Sequence, residues 1–445
     1  MARNPIAKLA NDWFDRLVGA ASDKTFSGQD EEYESGRTSR DFVWNTVGFT
    51  AWGMVFPILT IVVTQLVGAE NAGVFSLAFV TANLLYLIGS YGMRTYQVSD
   101  VDEYHAFKDY LISRVVTCAV MMVAGFLYCA IKGYTGQVHT LFIGICAFKA
   151  VDAMGDVCEG RLQQMDKLYL GGISLTIRSA VAFFVFAIAL LITGDMGIAA
   201  VAMAIASLVT LAVVTVPLAL FETPKSTPMN MRSIGLLLRE SMPVFVALFL
   251  YALIDNLPKF LMEGVLSYDN QLYFNALYFP AQTVLLVIGF VYKPLLVRIA
   301  NLWSDVSKRK KFDLLIIGMM VIVVVVTIAG IALMAWIGIP IMSYLYGVDF
   351  EEFRQLSYIM LAAGGVTAGI DFLYQIITVL RRQHVVVGLY LITFVLSILI
   401  LTLMINMVGL KGAVIGYLIV MSILFVLLVR EYVTQRMKLS RIQRR

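Results

Sequence analysis

Twelve apolar runs, each long enough to cross roughly 30 Å of hydrocarbon as a helix of about 20 residues, constrain this chain more than any other feature. They lie at 42–66, 71–92, 109–131, 138–159, 170–193, 196–220, 242–266, 271–297, 314–337, 355–379, 385–407 and 411–430. The chain is 60% hydrophobic and only 14% charged, against about 45–50% and 25% in soluble domains. Lipid is therefore the solvent of this fold. The expected class is all-α, an integral membrane bundle of about 12 transmembrane helices.

Basic residues give the orientation. With the N-terminus placed inside, the inside segments carry 26 Lys and Arg, while the outside loops carry only Lys132, Arg354 and Lys411. An excess that alternates loop by loop follows the positive-inside rule, so both termini are expected in the cytoplasm. The basic tail at 431–445 reads as a topology determinant that touches anionic lipid heads, not as a nucleic-acid site. The first apolar run follows about 40 polar residues, so no cleavable signal peptide is visible and the first span targets the chain. In the leader, 1–41, Ile6, Leu9, Trp13 and Leu17 recur at helical spacing. An amphipathic helix over 4–20 and a frayed tail both fit.

Several function classes drop out. Cys118, Cys129, Cys146 and Cys158 show no CxxC spacing, and His105, His139 and His384 are far apart, so no metal centre, disulfide framework or cofactor is expected. The longest outer connection, from about Gly338 to Arg354, has no room for a catalytic domain, and no GxxxxGK[ST] phosphate loop is present. The chain is not expected to be an enzyme. A transporter, a channel or a scaffold remains.

Internal similarity narrows this further. The segment GAENAGVFSLAF (Gly68 to Phe79) lies over SYDNQLYFNALY (Ser267 to Tyr278), and TGDMGIAAVAMAI lies over MVGLKGAVIGYLI with a shared GxxG turn. Both pairings join run n to run n+6, which implies two parallel six-helix repeats. The expected organisation is a first lobe at 42–220, a linker at 221–241 and a second lobe at 242–430.

Charges inside the runs mark the candidate site. In YALIDNLPKFLME, Tyr251 to Glu263, the residues Asp255, Lys259 and Glu263 recur every four positions. A charge at the bilayer centre costs at least about 2.5–3.5 kcal/mol, so such residues face a bundle interior, a partner or water. Asp255 falls near the midplane with Lys259 about 6 Å beyond it on the same helix face. Pro258 cannot donate to the carbonyl of Ile254 and marks a hinge. In the fourth run Lys149, Asp152, Asp156 and Glu159 share one face, the fifth adds Arg178, and the tenth adds Asp371. Together these faces predict a wet cavity lined by Lys149, Arg178, Asp255, Asn256, Lys259, Tyr273 and Asn275. Asp152 and Asp371 are candidates for coupling to a proton or sodium ion. Asp255 with Lys259, and Lys149 with Asp152, read equally well as locked pairs that position helices. Arg178 has no acid within one turn of its own helix and suits bidentate phosphate contact. Arg114, one turn inside the membrane, and Arg94, at a loop edge, read as side chains that snorkel to the surface.

YGMRTYQVSD after the second run, EGRLQQMDKLYLGG between the fourth and fifth, DNLPKFLME in the seventh and IPIMSYLYG after the ninth resemble the oligosaccharide flippases. These form the polysaccharide-transport branch of the multidrug/oligosaccharidyl-lipid/polysaccharide (MOP) exporter superfamily. The resemblance runs over essentially the whole chain after residue 40, although the long polar leader is not typical. It implies a MATE-like, V-shaped bundle of two lobes in a bacterial cytoplasmic membrane, a monomer, moving an undecaprenyl-pyrophosphate-linked oligosaccharide to the outer leaflet. A cation-coupled drug exporter would instead want a net acidic, aromatic-lined pocket. A non-transporting scaffold would need no midplane charges.

The charge asymmetry generates a test of topology. Cysteines introduced at Gly136, Tyr268 and Asp349 should react with an impermeant thiol reagent from outside, and ones at Ser307 and Ser440 should not. Outside labelling at Ser307 would overturn the orientation.

Overall fold

The computed structural model describes residues 37–442 apart from 101–102, 227–230, 293–294, 296–298, 300–302, 304–308 and 380–382. The helix expected over 4–20 lies outside the described residues. Twelve long helices and one short one account for the described chain: α1 Arg37–Val67, α2 Ala69–Ser90, α3 Met93–Ser99, α4 Phe107–Lys132, α5 Gly136–Gln164, α6 Leu168–Thr193, α7 Met196–Phe221, α8 Met231–Met262, α9 Asp269–Tyr292, α10 Arg309–Tyr346, α11 Arg354–Val379, α12 Gln383–Val408 and α13 Leu410–Ile442. All the long ones correspond in order to the apolar runs. Eleven are long and apolar enough to cross a membrane. The exception is α5, whose Lys149, Asp152, Asp156 and Glu159 interrupt its apolarity.

Four boundaries differ from the sequence expectation, because apolarity reports burial in lipid and not helicity. The linker read at 221–241 is helical from Met231, and α8 stops at Met262, which leaves Glu263 in the following turn rather than in the span. The IPIMSYLYG segment, expected as an outside connection, continues α10 to Tyr346. The basic tail extends α13, and Arg436 makes a 2.8 Å ion pair with Asp313 at the start of α10.

Two helices contain a wide turn for one local reason. In α7 the amide of Val216 reaches back five residues to the carbonyl of Leu211, and in α10 that of Ile339 reaches Met334. Each π-helical turn directly precedes a proline, Pro217 or Pro340. The ring removes a donor and crowds the turn before it, and widening the helix relieves both. In α7 this turn holds Thr215, whose hydroxyl lies 2.8 Å from that of Ser174 on α6.

The chain forms two compact units. Unit 1 holds the residues up to Val55 together with Leu85–Met242. At its centre, α5 packs against α4, α6 and α7. The first turns of α8 belong here because the ring of His105 bonds the hydroxyl of Ser233, and the Tyr96 hydroxyl donates to the carbonyl of Glu240 at 2.6 Å. Unit 2 holds Phe56–Leu84 and the chain from Pro243. Here α11 is central, packed against α9, α10 and α13. Residues 56–84 thus group with the chain from Pro243.

The GxxG turns have a physical explanation. Gly194 and Gly409 end their helices with φ of 64° and 63°, the left-handed conformation that a Cβ disfavours. The second glycine lets the next helix approach closely: a Cβ on Gly412 would lie 1.9 Å from the carbonyl oxygen of Met404. Gly412→Ala should therefore destabilise unit 2 by about 1–3 kcal/mol or more. Gly318→Ala, whose Cβ meets nothing within 4 Å, should be neutral or stabilising by up to about 1 kcal/mol. Thermal unfolding of the detergent-solubilised protein checks this, and equal Tm values for the two variants would refute it.

Candidate functional site

The charged face of α5 becomes a chain of ion pairs inside unit 1. Lys149 Nζ lies 3.2 Å from Asp152 Oδ2, and Asp152 Oδ1 lies 3.3 Å from Arg178 Nε on α6. Arg178 Nη1 then meets Glu159 at 2.8 Å, and Glu159 faces Arg94 Nη1 at 3.7 Å. Arg94, on α3, pairs with Asp156 at 2.6 Å, and the other oxygen of Asp156 takes Arg114 Nη2 of α4 at 3.0 Å. Charges alternate along all seven groups, and a cation stands at each end. Removal from water is costly for each group alone and is offset here because nearly every group touches two of opposite sign.

Neighbouring groups fix the geometry. The indole of Trp52 donates to Asp152 Oδ2 at 2.9 Å, and the Lys149 ammonium rests 4.7 Å from that ring's centroid and 5.0 Å from that of Phe148. Arg178 lies flat on α5 at Gly155, where a Cβ would come within 2.3 Å of its Nη1. Its Nη2 is buried with no hydrogen-bond partner. Exposure is greatest at Arg94 and Asp156, whose side chains are 21% and 15% exposed, and both ends of the chain are buried, Lys149 at 3% and Arg114 at 0%.

Sequence reasoning placed Lys149, Asp152 and Arg178 in the site, and the structure brings them into contact. It missed Arg94 and Arg114. Arg114 does not snorkel to a surface, being fully buried, and Arg94, partly exposed, joins it in holding Asp156. A signal existed, since three acids on the α5 face have only Lys149 on that same face. Burial requires further cations, which neighbouring helices must supply. Arg178 likewise takes its acids from α5, which spacing along its own helix could not reveal.

Unit 2 handles its charges differently. Asp255 and Lys259, on α8, do not pair directly among the described residues. The Asp255 carboxylate accepts from the hydroxyls of Tyr278 at 2.5 Å and Tyr417 at 2.6 Å. The Lys259 ammonium donates to Asn256 at 2.9 Å and sits 3.9 Å from the centroid of the Tyr278 ring. One tyrosine therefore faces the cation with its π surface and the anion with its hydroxyl. Pro258 is buried within α8, which continues through it to Met262. Asp371 accepts from the Tyr292 hydroxyl. Asn275 donates to the Gln271 carbonyl of its own helix, while the Tyr273 ring packs tilted against Phe353 with centroids 4.8 Å apart. Tyr251 packs against Tyr390, which in turn faces Tyr374. The four cysteines are buried and unbridged. No three His, Cys, Asp or Glu among the described residues are arranged to hold a metal ion.

No family model matches the sequence, and no curated protein matches it. Solved structures do match the fold. An inward-facing multidrug resistance MATE family transporter of the MOP superfamily superposes with a TM-score of 0.69 at 12% identity, over 90% of this chain and 99% of the other. The fold is that of a MATE-like transporter. The MATE multidrug transporter DinF-BH, in a ligand complex, gives 0.66 at 12% identity, over 91% and 96% of the chains. A MOP superfamily transporter from Pyrococcus furiosus, described as having a binding pocket of reverse polarity that suggests a different function, gives 0.60 at 13%, over 92% and 96%. At such identities the likeness concerns fold alone.

The ion chain predicts a stability signature. Arg178→Gln leaves Asp152 and Glu159 without their shared cation, at a cost of about 3–5 kcal/mol. Adding Glu159→Gln should recover part of that loss. A double variant with a Tm no higher than that of Arg178→Gln alone would show that the pair does not act as a unit.

Proposed function

We propose that this chain is an alternating-access transporter that moves a lipid-linked oligosaccharide, carried on undecaprenyl pyrophosphate, from the inner to the outer leaflet of a bacterial cytoplasmic membrane for surface polysaccharide assembly. Its two lobes are 42–220 and 242–430, with both termini in the cytoplasm. The observation that carries this reading is the alternating chain of unit 1, which has four cations, Arg94, Arg114, Lys149 and Arg178, against three acids, Asp152, Asp156 and Glu159. With all seven groups charged, a net positive charge sits among apolar helices. An anion relieves that cost, and a diphosphate is the anion that this cargo brings. Lys149 and Arg178 are the assigned phosphate contacts in unit 1. Lys259 and Asn256 offer donors in unit 2, with Tyr273 and Asn275 as further cargo contacts. The transporter fold and the resemblance in the motifs of the sequence support the same reading.

A second reading, a cation-coupled exporter of small molecules, draws on a different observation. In unit 2 the carboxylates of Asp255 and Asp371 are both held by tyrosine hydroxyls, a setting of acids and aromatic rings that suits an organic cation. Two of the matching structures are described as multidrug transporters.

Lipid extraction from cells depleted of the protein separates the two. A flippase block should enrich one lipid-linked glycan, and Lys149→Gln should reproduce the enrichment while the protein stays abundant. An unchanged glycan pool, together with greater retention of organic cations such as rhodamine dyes, would replace the first reading with the second. Asp371 and Asp152 are the assigned sites of proton or sodium coupling. Transport that persists when both gradients are collapsed would remove that role.

A further inference from the structure

Arginine carries five N–H donors in a rigid fork. In Arg178, Nε faces Asp152 Oδ1 at 3.3 Å, while Nη1 meets Glu159 at 2.8 Å and donates to Thr215 Oγ1 at 3.4 Å. Nη2 is buried and has no hydrogen-bond partner. The guanidinium is also pressed on α5, where a Cβ at Gly155 would come within 2.5 Å of its central carbon. A buried donor left unpaired costs free energy, and an ion or water that completes its set removes that cost.

A threonine within a helix commonly turns its hydroxyl back on the carbonyl four residues earlier. Thr176 of α6 and Thr210 of α7 do so, donating to Gly172 at 2.7 Å and to Ala206 at 2.9 Å. Thr215, fully buried, reaches across to α6 instead, with its Oγ1 2.8 Å from Ser174 Oγ and in contact with Arg178. The carbonyl four residues before it, that of Leu211, takes the amide of Val216 in the π-helical turn. The turn itself does not call for a hydroxyl. In α10 the π-helical turn before Pro340 has Gly338, with no side chain, at the place that Thr215 holds before Pro217.

We propose that Thr215, with Ser174 behind it, is a positioning residue for Arg178. The hydroxyl joins Asp152 and Glu159 in fixing the plane of the guanidinium, so that Nη2 is the donor group kept for an oxyanion. The π-helical turn matters because it frees the Thr215 side chain for this contact. Thr215 acts on the anion only through Arg178. All these residues belong to unit 1. The proposal rests on the assignment of Arg178 as a phosphate contact, and not on which lipid or glycan carries the phosphate.

Inorganic pyrophosphate, titrated into the detergent-solubilised full chain at constant ionic strength, tests this without any cargo. The unmodified protein should show a saturable rise in Tm. Thr215→Val keeps the shape of the side chain and removes the hydroxyl, and should raise the half-saturating concentration about fivefold. Thr215→Ser should bring it back to within about twofold of the unmodified protein. Ser174→Ala should raise it about twofold and reports in place of Thr215→Val if that variant does not accumulate. A purely structural role would lower Tm at every pyrophosphate concentration and leave half-saturation unchanged. That result, or a shift that Thr215→Ser does not reverse, would overturn the positioning role while leaving Arg178 as a phosphate contact. An unmodified protein that pyrophosphate does not stabilise would remove both, whereas the cargo is decided separately by the lipid extraction.

Discussion

An ionised side chain in hydrocarbon must find an opposite charge, a hydrogen-bonding shell or water, and the centre of unit 1 is arranged around that requirement. Four charges lie on one face of α5, so α5 cannot face lipid. It becomes the central helix instead, with α4, α6 and α7 around it and the short α3 laid across one end. Each neighbour except α7 contributes an arginine: Arg94 from α3, Arg114 from α4 and Arg178 from α6. Local sequence choices follow the same logic. Gly155 is bare where Arg178 must lie against α5, and the π-helical turn before Pro217 brings Thr215 within 3.4 Å of the same guanidinium.

Unit 2 meets the same requirement with tyrosines in place of arginines. Two hydroxyls satisfy Asp255, one satisfies Asp371, and Lys259 is held by an amide and an aromatic face. A neutral donor stabilises a carboxylate without cancelling its charge, whereas an ion pair cancels it. The two compact units thus carry different chemical character, a cation-rich chain in one and tyrosine-held acids in the other. In the proposed function the first suits the phosphates of the cargo. The second leaves its acids able to bind and release a proton or small cation.

Irregular positions in the helices trace to single residues. Prolines 217 and 340 each follow a widened turn, and glycines at 73, 155 and 412 sit where backbone or a guanidinium comes too close for a Cβ. In a bundle without an internal hydrophobic driving force, close packing and polar contacts between helices carry association. Small residues at crossings therefore matter more here than helix propensity does.

The sequence alone determined the number and order of the long helices, because about 20 consecutive apolar residues have one stable fate in lipid. It also determined that Lys149 and Asp255 must face something other than lipid, because a charge is costly there. It could not show how those charges are satisfied. Spacing along one helix suggested Asp255 with Lys259 and left Arg178 without an acid. Packing instead placed Tyr278 between the first two and gave Arg178 both Asp152 and Glu159 from α5. Arg94 and Arg114 read as surface side chains because position along the chain records depth in the membrane but not which neighbour stands opposite. Helix ends at Met231, Met262 and Tyr346 were likewise out of reach, since hydropathy marks where lipid begins and backbone hydrogen bonds mark where the helix ends.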